Sequence, residues 1–159
     1  MNIKIICVGK LRERYHIDES NEYVKRLSAF CSAEIVEIAE QRLPSDPSEN
    51  DIALALRKES LAIIDKIPAG ATVVALCVEG DGIDSESLSK FLETEALRGI
   101  SRFCFIIGGS YGLGADIKKL AHFKLSLSKM TFPHALARII LLEQLYRAFK
   151  IAEGSKYHK

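Results

Sequence analysis

The closing residues Gly154-Ser155-Lys156-Tyr157-His158-Lys159 put a side chain that exchanges protons near neutral pH beside a ring that can stack on a base. From Arg147 onward the basic residues Arg147, Lys150, Lys156 and Lys159 stand against Glu153 alone, a local charge of +3. A chain end of that composition suits contact with RNA, although a frayed terminus has the same look.

Two internal stretches are as unusual. Gly108-Gly109-Ser110-Tyr111-Gly112-Leu113-Gly114 follows an apolar strand-like run and precedes a helix, where backbone N–H groups commonly cradle a phosphate. No frame of it gives G-x-G-x-x-G. The Walker pattern fails too, because Gly114 is followed by Ala115 where lysine is required. Dinucleotide and nucleoside triphosphate binding are therefore disfavoured. Four glycines in seven residues fit either a tight strand-to-helix turn or a place where a ligand comes close to the backbone. The second stretch, Leu127-Ser128-Lys129-Met130-Thr131-Phe132-Pro133-His134, ends a strand, mixes hydroxyls with apolar side chains and enters a helix at Pro133. Backbone groups without ladder partners here could read the edge of a base such as adenine, with Leu, Met and Phe packing its faces. A plain connection is the competing account.

The last helix, from about Pro133 to Glu153, carries Ile139, Leu142, Leu145, Tyr146 and Phe149 on one apolar stripe at helical spacing. Leu136 and Ile140 fall on the opposite side beside Glu143 and Arg147, so apolar surface is expected on two faces, as for a helix between its own sheet and a second copy of the chain. Arg138 projects from within the stripe and needs an anionic partner or a wet pocket. Glu143 and Arg147, four apart, can form an ordinary helical ion pair.

The elements that must position these groups are legible from periodicity. Ile3 to Val8 reads as a strand ended by Gly9, Asp18 to Phe30 as a helix, Glu34 to Ile38 as a strand, and Asp51 to Lys66 as a helix stopped at Pro68-Ala69-Gly70. Thr72 to Val78 is a strong strand leading through Gly80-Asp81-Gly82 to a helix opened by Asp84 or Ser85. Phe103 to Ile107, a short helix, Leu125 to Leu127 and the last helix complete five strand–helix units. Alternation of this kind predicts an α/β fold with a largely parallel sheet and helices on both faces, its ligand site beyond the carboxyl ends of the strands. The segments after Val78, Ile107 and Leu127 are the ones to examine. At 159 residues the chain fits a single domain spanning 1–159.

Composition narrows the function classes. Lys plus Arg number 22 and Asp plus Glu 21, a net charge of +1, so nucleic-acid contact must be local. Cys7, Cys31, Cys77 and Cys104 lie far apart with no C-x-x-C pair, which supports neither a metal site nor a disulfide framework. No apolar run approaches the ~18 residues of a membrane span, and the N-terminus lacks a signal-peptide pattern. A soluble, cytoplasmic protein without membrane contact is expected.

Phe105-Ile106-Ile107-Gly108-Gly109-Ser110-Tyr111-Gly112-Leu113, Leu125-Ser126-Leu127-Ser128-Lys129-Met130-Thr131-Phe132-Pro133-His134, Glu143-Gln144-Leu145-Tyr146-Arg147-Ala148-Phe149 and the closing Tyr157-His158 together resemble the small bacterial SPOUT-class methyltransferases that methylate N3 of a pseudouridine in 23S ribosomal RNA. The resemblance runs from end to end. It implies a homodimer and a C-terminal trefoil knot (the α/β knot) within the parallel sheet. It also implies S-adenosylmethionine as methyl donor, held by Leu76, Gly108, Leu127, Ser128, Lys129, Met130, Thr131 and Phe132. Within that frame His158 is the candidate base, Tyr157 the residue that places the nucleotide, and Arg138, Arg147 and Lys159 candidates for substrate contact. The substrate would be 23S rRNA in the assembled ribosome, the active site shared between subunits, and no metal is required. Competing functions are a SPOUT enzyme acting on transfer RNA or a ribose 2′-hydroxyl, a non-catalytic ribosome-binding module, and a flavodoxin-like nucleotide binder.

Overall fold

A computed structural model describes residues 1–155; Lys156, Tyr157, His158 and Lys159, and with them three of the candidate site residues, lie outside the described residues. The sequence folds into β1 (Asn2–Val8), α1 (Arg14–Leu27), β2 (Ser32–Ile38), α2 (Glu49–Ile64), β3 (Thr72–Gly82), α3 (Ser85–Leu97), β4 (Arg102–Ile107), α4 (Ala115–Leu120), β5 (Phe123–Ser126) and α5 (His134–Ala152). All strand pairings are parallel, in the order β2-β1-β4-β3-β5. The expected α/β class with helices on both faces is what forms.

Strand side chains alternate between two cores, as the pleat demands. Ile3, Ile5, Cys7, Phe103, Phe105, Ile107 and Val74 pack with Leu27 of α1, Leu88 and Leu92 of α3 and Leu141, Leu142 and Leu145 of α5. Ile6, Val8, Cys104, Ile106, Val73 and Ala75 point the other way, to Ile63 of α2 and Ile117 of α4. This two-sided burial explains why β1 and β4 are nearly unbroken apolar runs. α5 is fastened lengthwise: Ser85 Oγ donates to Gln144 Oε1 at 2.6 Å, Ser89 Oγ donates to Ala148 O at 2.8 Å, and Phe149 stacks on Phe30 with centroids 5.5 Å apart.

Local chemistry sets the helix ends. Ser48 and Asp51 form a capping box that starts α2, and the Asp84 side chain accepts from Ser87 N to start α3, as the sequence indicates. Pro133 occupies the extended cap position of α5, one residue before the helix, instead of its first turn.

β3 departs furthest from expectation. Full burial ends at Ala75, Val78 is 46% exposed, and the strand continues to Gly82. Its register against β5 jumps between Leu76 and Asp81, so Cys77–Gly80 bulges outward. Gly80 permits this, since a Cβ there would lie 2.6 Å from Lys124 O. β5 correspondingly runs from Phe123 to Ser126, two residues earlier than its apolar triplet suggests, because His122 N already donates to Val73 O.

Candidate active site

The sheet order reverses between β1 and β4, and the crevice beyond their carboxyl ends is where open α/β sheets bind ligands. Three chain segments converge on the β4 side of that point, beyond the ends of β3, β4 and β5: the β3 bulge, the glycine-rich loop after β4, and Leu127–Pro133 after β5. They enclose a cavity of about 670 Å³, within the range of ~300–1,000 Å³ typical of small-molecule sites. Leu76, Gly108, Leu127, Ser128, Met130, Thr131 and Phe132 all line it, so seven of the eight candidate cofactor residues are brought together. Lys129 is exposed and is not among the lining residues.

The glycine-rich loop serves both of the purposes its composition allows. Gly112 N donates to Gly109 O at 3.0 Å and Gly112 adopts φ +75°, closing a tight turn. A Cβ on Gly108 would lie 2.3 Å from Gly112 O, so the turn closes only over a bare backbone. The outer part of the turn is tied to the end of β2: Ser110 N and Ser110 Oγ both donate to Glu40 Oε1, at 2.9 and 2.7 Å. Those two bonds hold the Glu40 carboxyl below its usual pKa. Facing the loop, Ser126 Oγ donates to Ser128 O at 2.9 Å and Met130 N donates to Ser128 Oγ at 3.0 Å, which fixes the path of the third segment. At the mouth, Lys118 Nζ donates to Glu79 Oε1 across the bulge and keeps that carboxyl ionised.

Arg138 has the anionic partner its position requires. It is 2% exposed, donates from Nη1 to Glu37 Oε1 at 2.8 Å and from Nη2 to Gly9 O at 3.1 Å, while Leu11 N donates to the same Glu37 oxygen at 3.3 Å. It therefore binds the start of α5 to the loop after β1, and its guanidinium is occupied inside the protein. Arg147 donates from Nε and Nη2 to Glu143 Oε1 at 3.0 and 2.7 Å, half-buried, with Gln144 Nε2 on the other carboxylate oxygen at 2.6 Å. This is a small network on α5, more enclosed than the surface pair the spacing suggests. Leu136, 42% exposed, and half-buried Ile140 leave the predicted second apolar face of α5 open.

The cysteines offer no nucleophile. Burial raises the Cys7 thiol to about 11 and Cys104 to about 12, far above neutral pH. Among the described residues no group of His, Cys, Asp and Glu could hold a metal ion, and no helix is long and apolar enough to cross a membrane.

Sequence reasoning missed Glu37 and Glu40, whose only local signal is their position at the carboxyl end of β2. It also missed the Lys118–Glu79 pair, which depends on an unforeseen bulge.

A parallel sheet with this strand order, a glycine turn at the carboxyl ends and a returning segment that closes a cavity define an α/β fold with a small-molecule site at its strand ends, and the chain belongs to the predicted SPOUT methyltransferase family, whose model matches residues 1–158. Over 159 residues, covering both chains completely, it is 47% identical to the ribosomal RNA large subunit methyltransferase H of Clostridium botulinum strain Alaska E43. The proteins of the same name from Bifidobacterium animalis subsp. lactis and Clostridioides difficile are 47% and 44% identical over the same span. A probable methylase family protein of Haemophilus influenzae shares the fold, with a TM-score of 0.54 at 13% identity, over 99% of this chain and 70% of the other.

Proposed function

We propose that the chain methylates N3 of a pseudouridine in large-subunit ribosomal RNA, with S-adenosylmethionine as donor, as a cytoplasmic homodimer. The observation that carries this reading is the 670 Å³ cavity built from three segments marked independently by the sequence. Its lining fits the donor. Leu76, Leu127, Met130 and Phe132 suit the faces of an adenine, and the backbone of the glycine turn and of Leu127–Phe132 suits its polar edges. When bound, the donor supplies an electrophilic methyl group on a sulfonium, which needs no metal.

The protein's part is then alignment of the imide nitrogen behind that methyl and removal of its proton. His158 takes the proton in this reading and Tyr157 holds the base, with Lys159 assigned to RNA phosphates and Arg147 to substrate contact from within its pair with Glu143. Arg138 acts one step back, by fixing the wall that α5 and the β1 loop share.

Chain geometry supports a shared site. α5 begins at the cavity, where His134 and Ala137 line it, and its 19 residues span about 28 Å toward the amino ends of the strands. Gly154, at φ +71°, closes it with Ser155 N donating to Lys150 O. Three residues from Ser155 to His158 reach about 10 Å when fully extended, too short to return to the same chain's cavity. The tail therefore serves a second copy, and the open apolar face at Leu136 and Ile140 is where that copy packs. The trefoil threading of the resemblance belongs to this proposal too; the return of the chain from edge strand β5 to a helix beside β1 is compatible with it.

The test is incubation of the enzyme with methyl-labelled S-adenosylmethionine and assembled ribosomes lacking the modification, followed by mass spectrometry of the digested RNA. Label in 3-methylpseudouridine is expected. Label on a ribose, on transfer RNA only, or nowhere overturns the reading.

A further inference from the structure

A second cavity, about 1040 Å³, lies over the carboxyl ends of β1 and β2, and the methyl-donor reading makes no use of it. Its floor is held rigid by Arg138, which grips Gly9 O and Glu37, and by Glu59, buried on α2, which accepts from Gln41 N at 2.8 Å and so anchors the loop leading to α2. The partition toward the donor cavity consists of Ser110, Tyr111 and His134, the residues that line both. Tyr111 is 50% exposed on that partition, an aromatic ring between the two spaces.

The charges of this cleft are divided in an informative way. Two of its three carboxylates are used internally, Glu40 by Ser110 and Glu59 by Gln41, which leaves Glu13. Lys10, Arg12 and Arg42 are all exposed on the lining, and among the described residues none of them forms an ion pair or hydrogen bond. His16 joins them. Three exposed cations at the rim, of which Arg12 also acts at longer range on Glu40, an exposed ring at the inner wall and a volume above the small-molecule range match a polyanion that also carries stackable bases.

We infer that this cleft seats the acceptor strand: a short single-stranded RNA segment lies with its phosphates on Lys10, Arg12 and Arg42, and the target base passes Tyr111 toward the donor cavity. This rests on the methyltransferase reading and adds the RNA path to it. The near-zero net charge of the whole chain is no obstacle, since three exposed cations stand together at this rim.

The experiment compares the wild type with a Lys10→Gln, Arg12→Gln, Arg42→Gln triple variant and a Lys90→Gln control on α3. Each is tested for S-adenosylmethionine affinity by calorimetry, for filter binding to unmodified assembled ribosomes in the presence of S-adenosylhomocysteine, for KM and kcat of methyl transfer, and for mass by sedimentation. The triple variant is expected to weaken ribosome binding and raise KM about tenfold or more, and to lower the slope of log affinity against log salt by about 2. Its donor affinity should stay within twofold of the wild type, and the control should behave as the wild type. Unchanged ribosome binding and KM in the triple variant overturn the RNA path while leaving the methyltransferase reading intact. A change of mass from dimer to monomer overturns it as well, because the cleft then belongs to the contact between copies. Failure of the wild type itself to bind and methylate ribosomes overturns the parent reading, and the RNA path with it.

Discussion

Replacing Gly108 by alanine tests whether the glycine turn builds the donor site or merely joins two elements. The added Cβ would stand 2.3 Å from Gly112 O and 2.4 Å from Gly112 C, both backbone atoms that cannot swing aside. Opening that contact to the 3.4 Å of ordinary packing displaces the turn by roughly 1 Å. Forced displacements of this kind cost about 1–3 kcal/mol, which for a chain of this length lowers Tm by about 2–12 °C. The same displacement moves Gly108–Leu113, part of the cavity wall, so S-adenosylmethionine affinity should fall about 10- to 100-fold, or about 1.4–2.7 kcal/mol. Calorimetry gives the affinity and differential scanning fluorimetry the stability. Gly70→Ala separates the two effects: at φ +71° with nothing within 4 Å of the new Cβ, it strains the backbone far from the cavity. It should lose Tm and keep donor affinity. If Gly108→Ala binds the donor as well as Gly70→Ala does, the turn is not part of the site and the argument from close packing is wrong.

Two further perturbations probe the groups the structure assigns to support. Arg138→Met leaves Glu37 without its 2.8 Å partner; since Glu37 keeps about a third of its exposure, the loss should sit near the lower end of the ~3–5 kcal/mol measured for broken buried pairs, a fall in Tm of about 6–12 °C. Loss of activity with an unchanged melting curve would instead make Arg138 a direct substrate contact. Glu40, whose carboxyl is held low by the two Ser110 bonds, contributes stability that is present above the ordinary carboxylate pKa and is lost as pH falls through its own lower value. Glu40→Gln should therefore melt below the wild type at pH 7, by only about a few tenths of a kcal/mol because the group is exposed, and converge with it in acid once the pH has fallen below the lowered value; fluorimetry across pH reads the gap, and a gap that widens in acid would refute the assignment.

What the sequence disclosed depended on whether a feature was local or collective. The helix cap at Asp84 rests on a three-residue spacing and was readable, as were the doubly buried runs of β1 and β4, whereas the Ser48 cap starts α2 at Glu49, ahead of the Asp51 that periodicity suggests. The β3 bulge was not, because Val78 and Cys77 are apolar and β-compatible; what turns them outward is the approach of Lys124 to Gly80, a contact from 44 residues away in the chain. The donor cavity emerged from strand ends alone, since any parallel order brings successive carboxyl ends to one edge. The second cavity did not, because only the observed order β2-β1-β4-β3-β5 reveals that Glu37, Glu40 and the loop after Gly9 stand next to the glycine turn. Arg138 shows the limit in a single residue: periodicity demanded an anion beside it, and nothing short of the sheet register could name Glu37, 101 positions away.

The direction of α5 makes the shared-site proposal testable without any structure of the tail. On the proposed reading the 19 residues of α5 carry the chain about 28 Å from the cavity, so the tail and the cavity of one working site are assigned to different copies. Gly108→Val, which removes the cavity, and His158→Ala, which removes the base, should each be inactive as homodimers. Unfolded together and refolded at equal amounts, half the dimers are mixed, and each mixed dimer contains one site with an intact cavity and an intact tail. Methyl transfer should then recover to about a quarter of the wild-type rate, since half the dimers carry one working site of two. A tail acting within its own chain predicts no recovery, because each chain of the mixed dimer then carries one defect of its own. Recovery near a quarter requires both that the dimer exists and that His158 acts across it; a flat zero, with mixed dimers verified by mass spectrometry of the intact complex, defeats the shared site whatever the role of the cavity.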